Sequence, residues 1–299
     1  MTPRFDAQYR PGMATSLQRT YRYVRIAIAA PVVLLLVAVA IQSASDPSGW
    51  HVEPSISDYV HTGAREVFVG SLVAVSLALL AISGRGLERA LLDVAAMLAP
   101  IIAFVPTPRD GTDPTPGVNT SIASYVVVGV ILCVVALVVA SRSDDGSWQP
   151  PAVGTRISVG IAFAVLVAVA LINALAQRWL IDHLHLTAAV LFFACFAAVA
   201  ALGAVPLKWR RVQTNGANDP TRGQRIVYAI TAAGIVAVIV WLACCVFPRP
   251  PEDRGILVLI GEFIALVLFV IFWLVQSAQK WDEPDPTARF VTARKADVR

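Results

Sequence analysis

Charge is scarce in this chain. Only 15% of its 299 residues are Asp, Glu, Lys or Arg, while 57% are apolar and mean hydropathy is +0.68. A soluble domain carries about 25% charged and about 45–50% apolar residues, so this composition excludes one. Long polar sequence is missing as well. The longest such stretch, residues 1–23, is too short to build a core of its own. Cysteine is sparse: Cys133, Cys195, Cys244 and Cys245 all fall inside apolar runs and form no C-x-x-C pair. That excludes a disulfide framework in outer loops and leaves the four as small buried hydrophobes. The Walker and Rossmann glycine patterns, G-x-S-x-G, H-E-x-x-H and C-x-x-C-H are all absent. Nucleotide-loop, dinucleotide, serine-hydrolase, zincin and haem-attachment chemistries lose their usual signatures. The short glycine motifs Gly84-Arg85-Gly86, Asp144-Asp145-Gly146 and Asn215-Gly216 read as tight turns.

What the chain has in abundance is long apolar sequence. Eight runs are separated by short polar segments: Ile26–Ile41, Val67–Ile82, Ala90–Val105, Ile122–Ala140, Ile157–Ala176, Leu186–Val205, Ile226–Phe247 and Ile256–Val275. None alternates with the period of a strand, and in lipid each backbone must satisfy its own hydrogen bonds, so each run is expected to be a helix. The shortest give about 24 Å of helix at 1.5 Å per residue. Flanking Arg and Glu side chains can snorkel to make up the rest of a ~30 Å hydrocarbon layer. The expectation is an all-α integral membrane bundle of eight transmembrane helices. Residues 26–276 form the bundle, between cytoplasmic segments 1–25 and 277–299.

Basic residues give the orientation. Of the 24 Lys and Arg, 19 fall in the two terminal segments and the loops after runs two, four and six. The other five are Arg65, Arg109, Arg178, Arg249 and Arg254. Positive residues stay cytoplasmic, which puts both termini inside. A missed or invented helix would scramble this parity. Trp50, Trp148, Trp179, Trp209 and Trp281 lie at or just beyond run ends, where an amphipathic indole settles. A cleaved signal peptide ending near Gln42-Ser43-Ala44-Ser45 is the alternative for the first run. Its apolar core is long for that role and a 25-residue leader precedes it. Pro31 and Pro100 predict kinks in runs one and three. Ala194, Ala198 and Ala201 predict a close helix contact on run six. The first and last four runs show no internal repeat of the kind inverted-repeat transporters carry.

The formal charge of +4 follows from membrane topology and does not predict nucleic-acid binding. The basic segment Lys208-Trp209-Arg210-Arg211 is explained equally by topology or by anionic headgroups. The expected partners are membrane lipids and a small amphiphilic ligand, with no resident cofactor or metal.

Candidate functional residues gather on the outer side. All four histidines, His51, His61, His183 and His185, fall there, as does the polar segment Pro54-Ser55-Ile56-Ser57-Asp58-Tyr59, which runs on to Arg65-Glu66. Two ionisable residues lie inside runs, where a charge costs about 2.5–3.5 kcal/mol on the insertion scale. They are Glu262, about one and a half turns into the last run, and Asp93, about one turn into the third with Arg89 at i−4. Asn173 is a third buried polar group. Ser57, Tyr59, His61, Arg65, Glu66, Asn173, His185 and Glu262 are expected to line one outward-facing pocket.

Two resemblances bear on its chemistry. Ser57-Asp58-Tyr59-Val60-His61 with His183 and His185 partly resembles the alkaline ceramidase and adiponectin-receptor superfamily of membrane zinc hydrolases. That resemblance implies zinc-dependent hydrolysis, but the late H-x-x-x-H of those proteins is missing. The i, i+2 histidines diverge by about 200° on a helix. The stretch Pro54 to Tyr59 through Arg65-Glu66-Val67-Phe68-Val69-Gly70, His185-Leu186-Thr187-Ala188-Ala189, and Glu262 with Trp273 covers more of the chain. It resembles a bacterial multi-pass family with a domain of unknown function and, distantly, the Frag1/DRAM/Sfk1 group. This implies a plasma-membrane architecture with an outer polar cluster and no particular reaction. The favoured expectation is non-catalytic binding or sensing of a lipid or small amphiphile. A secondary transporter using Glu262 is the first alternative and a zinc hydrolase the second.

Overall fold

The computed structural model describes residues 11–45, 49–82, 87–107, 115–142, 148, 150–151, 153–205 and 220–281. These residues are helical with no strand, and six helices are long and apolar enough to cross a membrane. The order is α1 (Pro11–Ala44), a 3-10 turn (Ser57–His61), α2 (Arg65–Ala81), α3 (Leu87–Phe104), α4 (Thr115–Ala140), α5 (Val153–Leu175), α6 (Gln177–Ala204) and α7 (Arg222–Trp241). A π-helical turn (Leu242–Val246), the one-turn α8 (Pro251–Arg254) and α9 (Leu257–Gln279) follow. Neither α2, with 17 residues, nor α3, whose apolar part is Ala90–Phe104, is among the six. Seventeen residues give about 25 Å of helix, short of a full hydrocarbon layer.

Several helices outrun the apolar sequence that announced them. α1 begins at Pro11 and α6 at Gln177, so both take in polar residues that lie outside the apolar runs. His183 and His185 are therefore helical rather than loop residues. Loop segments 83–86 and 206–219 and the tail from 282 lie outside the described residues, as do Arg109, the Lys208–Arg211 basic segment and the side chain of Arg89. Asp93 on α3 is half-buried and has an interaction partner.

Six helices close on one another. α1 packs on α2, α2 on α3, α3 on α6, α6 on α7, α7 on α9, and α9 returns to α1. The α4–α5 hairpin stands outside this ring and makes its main contacts with the ring, sparse ones, on α3 and α6. The ends of the bundle are called here the loop end, where the 3-10 turn sits, and the tail end, where α1 begins and α9 finishes.

Aromatic side chains fill the ring between α6, α7 and α9. Phe196 lies 4.6 Å from Phe269 and 4.8 Å from Phe272 between ring centroids, and Tyr228 lies 5.2 Å from Phe272. All four are buried. The close contact of α6 is made by Gly203, where an added Cβ would meet the Tyr228 ring at 2.8 Å. Buried Ala197 and Ala200 share that packing, whereas Ala194 and Ala201 are exposed, so the alanine face predicted from spacing is not the packed one.

Proline and polar side chains are reconciled locally. Pro100 has no N–H to give Ala96 four residues back, and Ser76 of α2 donates to that carbonyl at 2.6 Å. A neighbouring hydroxyl is one of the ways membrane helices tolerate proline. At the tail end Arg25, 5% exposed, donates to Gln276 Oε1 at 3.2 Å. Gln276 Nε2 donates to Glu88 Oε1 at 3.2 Å, and Lys280 pairs with the same oxygen at 3.5 Å. This chain of bonds ties α1, α3 and α9 together. At the other end Arg254 donates to the carbonyls of Phe247 and Arg249 at 2.9 and 3.0 Å, which satisfies acceptors left open where α7 unwinds through the π turn. Gly255, at φ 49°, then turns the chain into α9. Cys244 and Cys245 are exposed in that π turn, Cys133 and Cys195 half-buried, so none is the fully buried hydrophobe expected.

Candidate functional site

The first turn of a helix leaves N–H groups without partners. At the loop end, two such turns complete each other. The 3-10 turn has no side-chain cap of its own. The Ile56 N–H at its start donates to Glu262 Oε2 of α9 at 2.5 Å, and the amide and hydroxyl of Ser57 face the same carboxylate. In the other direction, the Leu259 N–H in the first turn of α9 donates to the Pro54 carbonyl at 2.9 Å. Glu262 thus caps a turn 206 residues away in sequence, and that loop caps the helix bearing Glu262. A carboxylate accepting backbone N–H bonds at a helical start is the favourable sign for the local dipole.

The same loop is fastened on its other flank. Ser55 donates to Asp58 Oδ2 at 2.8 Å and stands 2.8 Å from the Ser57 hydroxyl. Thr107, just beyond α3, donates to Asp58 Oδ1 at 2.7 Å, and His61 Nε2 meets the Thr107 carbonyl at 2.9 Å. Since a carbonyl only accepts, that nitrogen carries its proton. His185 of α6, buried, donates likewise from Nδ1 to the Val105 carbonyl at 2.6 Å, with the Asp58 carboxylate in electrostatic reach. The Tyr59 hydroxyl is hydrogen-bonded to Ser43 of α1 and accepts from the Glu53 amide at 3.3 Å. Beneath these bonds Ile56, Tyr59 and Val60 are buried, and Ile56 and Val60 join the main apolar core. The loop is a plug with a polar upper layer and an apolar underside.

Of the eight residues predicted to form one pocket, five meet here: Ser57, Tyr59, His61, His185 and Glu262. Arg65 and Glu66 are exposed in the first turn of α2, outside the network. Asn173 belongs to a second cluster, where it donates to Asn119 Oδ1 at 3.0 Å and Gln177 donates to the same oxygen at 2.6 Å. That clip joins α4, α5 and α6, and no hydrogen bond of Asn173 reaches the plug. Ser43, Ser55, Asp58 and Thr107 belong to the site but were not singled out as pocket residues. Only the density of hydroxyls and carboxylate between Ser55 and Asp58 hinted at them, because their partners lie on other helices.

The histidines do not converge. His183 is exposed, stacks on Trp179 at 5.2 Å and bonds the Trp179 carbonyl, while His185 points into the bundle. Among the described residues no three His, Cys, Asp or Glu side chains could hold a metal ion. The chemistry on offer is hydrogen bonding by two carboxylates, serine hydroxyls, imidazoles and backbone amides at an apolar mouth. Comparison of the chain with protein families, with curated proteins and with solved structures finds no match.

Proposed function

We propose that this is an eight-span plasma-membrane protein, of the bacterial multi-pass kind it resembles, that binds a lipid or small amphiphile without transforming it. Binding takes place at the mouth of the six-helix ring beneath the loop of residues 49–64. Eight helices of 17 residues or more and the uneven division of Lys and Arg support the count and the cytoplasmic termini. One observation carries the binding reading: a loop with an apolar underside lies over an apolar ring and is tied to α9 through the Glu262 carboxylate. Lifting that loop exposes a polar rim of Glu262, His185 and Ser43 above buried aliphatic surface, which matches a ligand with one polar head and one apolar tail. Below the rim, the buried Ser71 hydroxyl of α2 has no hydrogen-bond partner, a group that a ligand or water could satisfy.

The test is thermal unfolding of detergent-purified protein with fatty acids, lysophospholipids and phospholipids, beside Glu262→Gln. Stabilisation of the native chain approaching the ~2.7 kcal/mol of a ligand at 100 times its Kd, diminished in the variant and without turnover by mass spectrometry, supports the reading. Equal stabilisation of both proteins refutes this site.

A transporter is the second reading, favoured by the polar network of Arg25, Gln276 and Glu88 at the opposite mouth of the same ring. Thr231 and Trp273, buried in ring helices between the two ends, each keep an unpartnered polar atom. Uptake into vesicles that is driven by a proton gradient and lost in Glu262→Gln would replace the binding reading with this one.

A further inference from the structure

A groove of about 520 Å³ opens on the outer surface between α1 and α9 at the tail end, lined by Ile26, Leu274, Ser277, Ala278 and Trp281. Its size is that of a small-ligand site, about 300–1,000 Å³. Its floor is apolar even at Ser277, whose hydroxyl is spent on the Trp273 carbonyl of its own helix at 2.6 Å. Ile26, Leu274 and Ala278 are exposed to whatever surrounds the bundle.

Its rim differs in kind. The Arg22 guanidinium lies 4.6 Å above the Trp281 ring, and its Nε donates to the Trp281 carbonyl at 2.8 Å. That pair of contacts fixes the indole as one wall and holds a cation at the mouth. Arg19 is exposed one turn further along α1, and Lys280 sits beside Trp281. An apolar trough running into a held guanidinium, with an indole at the boundary, has the order of an acyl chain, glycerol and phosphate. Guanidinium against phosphate is the strongest pairing available there.

We propose that this groove is a phospholipid site, with one acyl chain along Ile26, Leu274 and Ala278 and the phosphate on Arg22. It is separate from the ligand site at the loop end. A second copy of the chain fits less well. A helix is about 10 Å across, too wide for a five-residue trough. A two-fold contact centred on the groove would also bring the basic rims of both copies together.

The experiment is native mass spectrometry of the full chain released from nanodiscs of phosphatidylglycerol and phosphatidylcholine, or of the same mixture containing diacylglycerol. Arg22→Gln removes the cation and Ala278→Trp fills the trough from an exposed position, with Arg178→Gln at the loop end as a control. Thermal unfolding confirms that each variant is folded. The expected result is that the native chain retains one phospholipid more than Ala278→Trp, and that Arg22→Gln holds this additional lipid about tenfold more weakly, the size of one lost charge-assisted bond. Diacylglycerol should not take the place of this additional lipid. Equal retention in native protein and both groove variants would overturn the proposal. So would diacylglycerol held as well as phospholipid, or a dimer rather than a lipid being lost in Ala278→Trp.

Discussion

The six-helix ring and the α4–α5 hairpin are built from equally apolar sequence and pack in opposite ways. α4 is the most hydropathic span of the molecule, yet 6% of it is buried, and α5 reaches 11%; in the ring helix α6 the share is 33%. Val127, Val128, Ile131, Val134, Val135 and Val139 of α4 all face outward. In water such a helix would have to be central. In lipid the surroundings are as apolar as the interior, so apolarity alone gives no reason to pack. What distinguishes the ring is shape and polarity: phenylalanines meshed across α6 and α9, a glycine under Tyr228, and hydroxyls and amides bonded between helices. The hairpin has little of this beyond the Asn119 clip at one end and the bond from Tyr125 to the Met97 carbonyl.

That contrast predicts a graded series of losses. Phe196→Ala, at the centre of the aromatic cluster, should cost about 3 kcal/mol, the lower end of the range for such a truncation because lipid is a gentle reference state. Reversible unfolding in mixed detergent would measure it, and a cost below about 1 kcal/mol would mean the ring is not the cooperative unit. Glu262→Ala leaves the Ile56 amide without its acceptor and should cost about 1–3 kcal/mol. Its specific sign is faster hydrogen exchange at both Ile56 and Leu259, since the two caps are reciprocal. His185→Phe, which orphans the Val105 carbonyl, should cost about 1 kcal/mol and speed proteolysis in the 49–64 loop. Asn119→Leu breaks the hairpin clip for about 0.6 kcal/mol, the average of a hydrogen bond between membrane helices. Cross-linking between engineered cysteines on α4 and α6 should fall while ring stability holds. Val135→Ala on the outward face of α4 should change stability by less than about 0.5 kcal/mol. A larger effect would show that something other than lipid covers the hairpin.

Much of this was readable from sequence, and the division follows from range. Apolar runs and loop charges are local properties, and they identified a multi-pass helical protein. Glu262 and the Ser55–Asp58 segment each stood out, one as a charge inside a span and the other as a dense polar stretch. That they bond to each other was invisible, because no periodicity links positions 206 residues apart. Asn173 was misplaced for a related reason. Its depth in the membrane was legible, but its direction around the helix axis, towards Asn119, was not. The start of α6 was hidden because Gln177–His185 is polar on the side that faces out, and hydropathy averages both sides. His183 and His185, read as lying ahead of the sixth run, fall on one helix, where i, i+2 spacing turns them apart.

The mutual capping of the 49–64 loop and α9 has a consequence for how the chain is made. Translation proceeds at about 5–20 residues per second, so the 206 residues between Ile56 and Glu262 take about 10–40 s to emerge. Throughout that interval the turn of the 49–64 loop has no cap from α9, while the ring helices between them are still being made. The ring can close only when α9 arrives, and a chain interrupted before it carries an open mouth. The order of synthesis is thereby written into the fold, as a contact that can form only once an early loop and a much later helix have both been made.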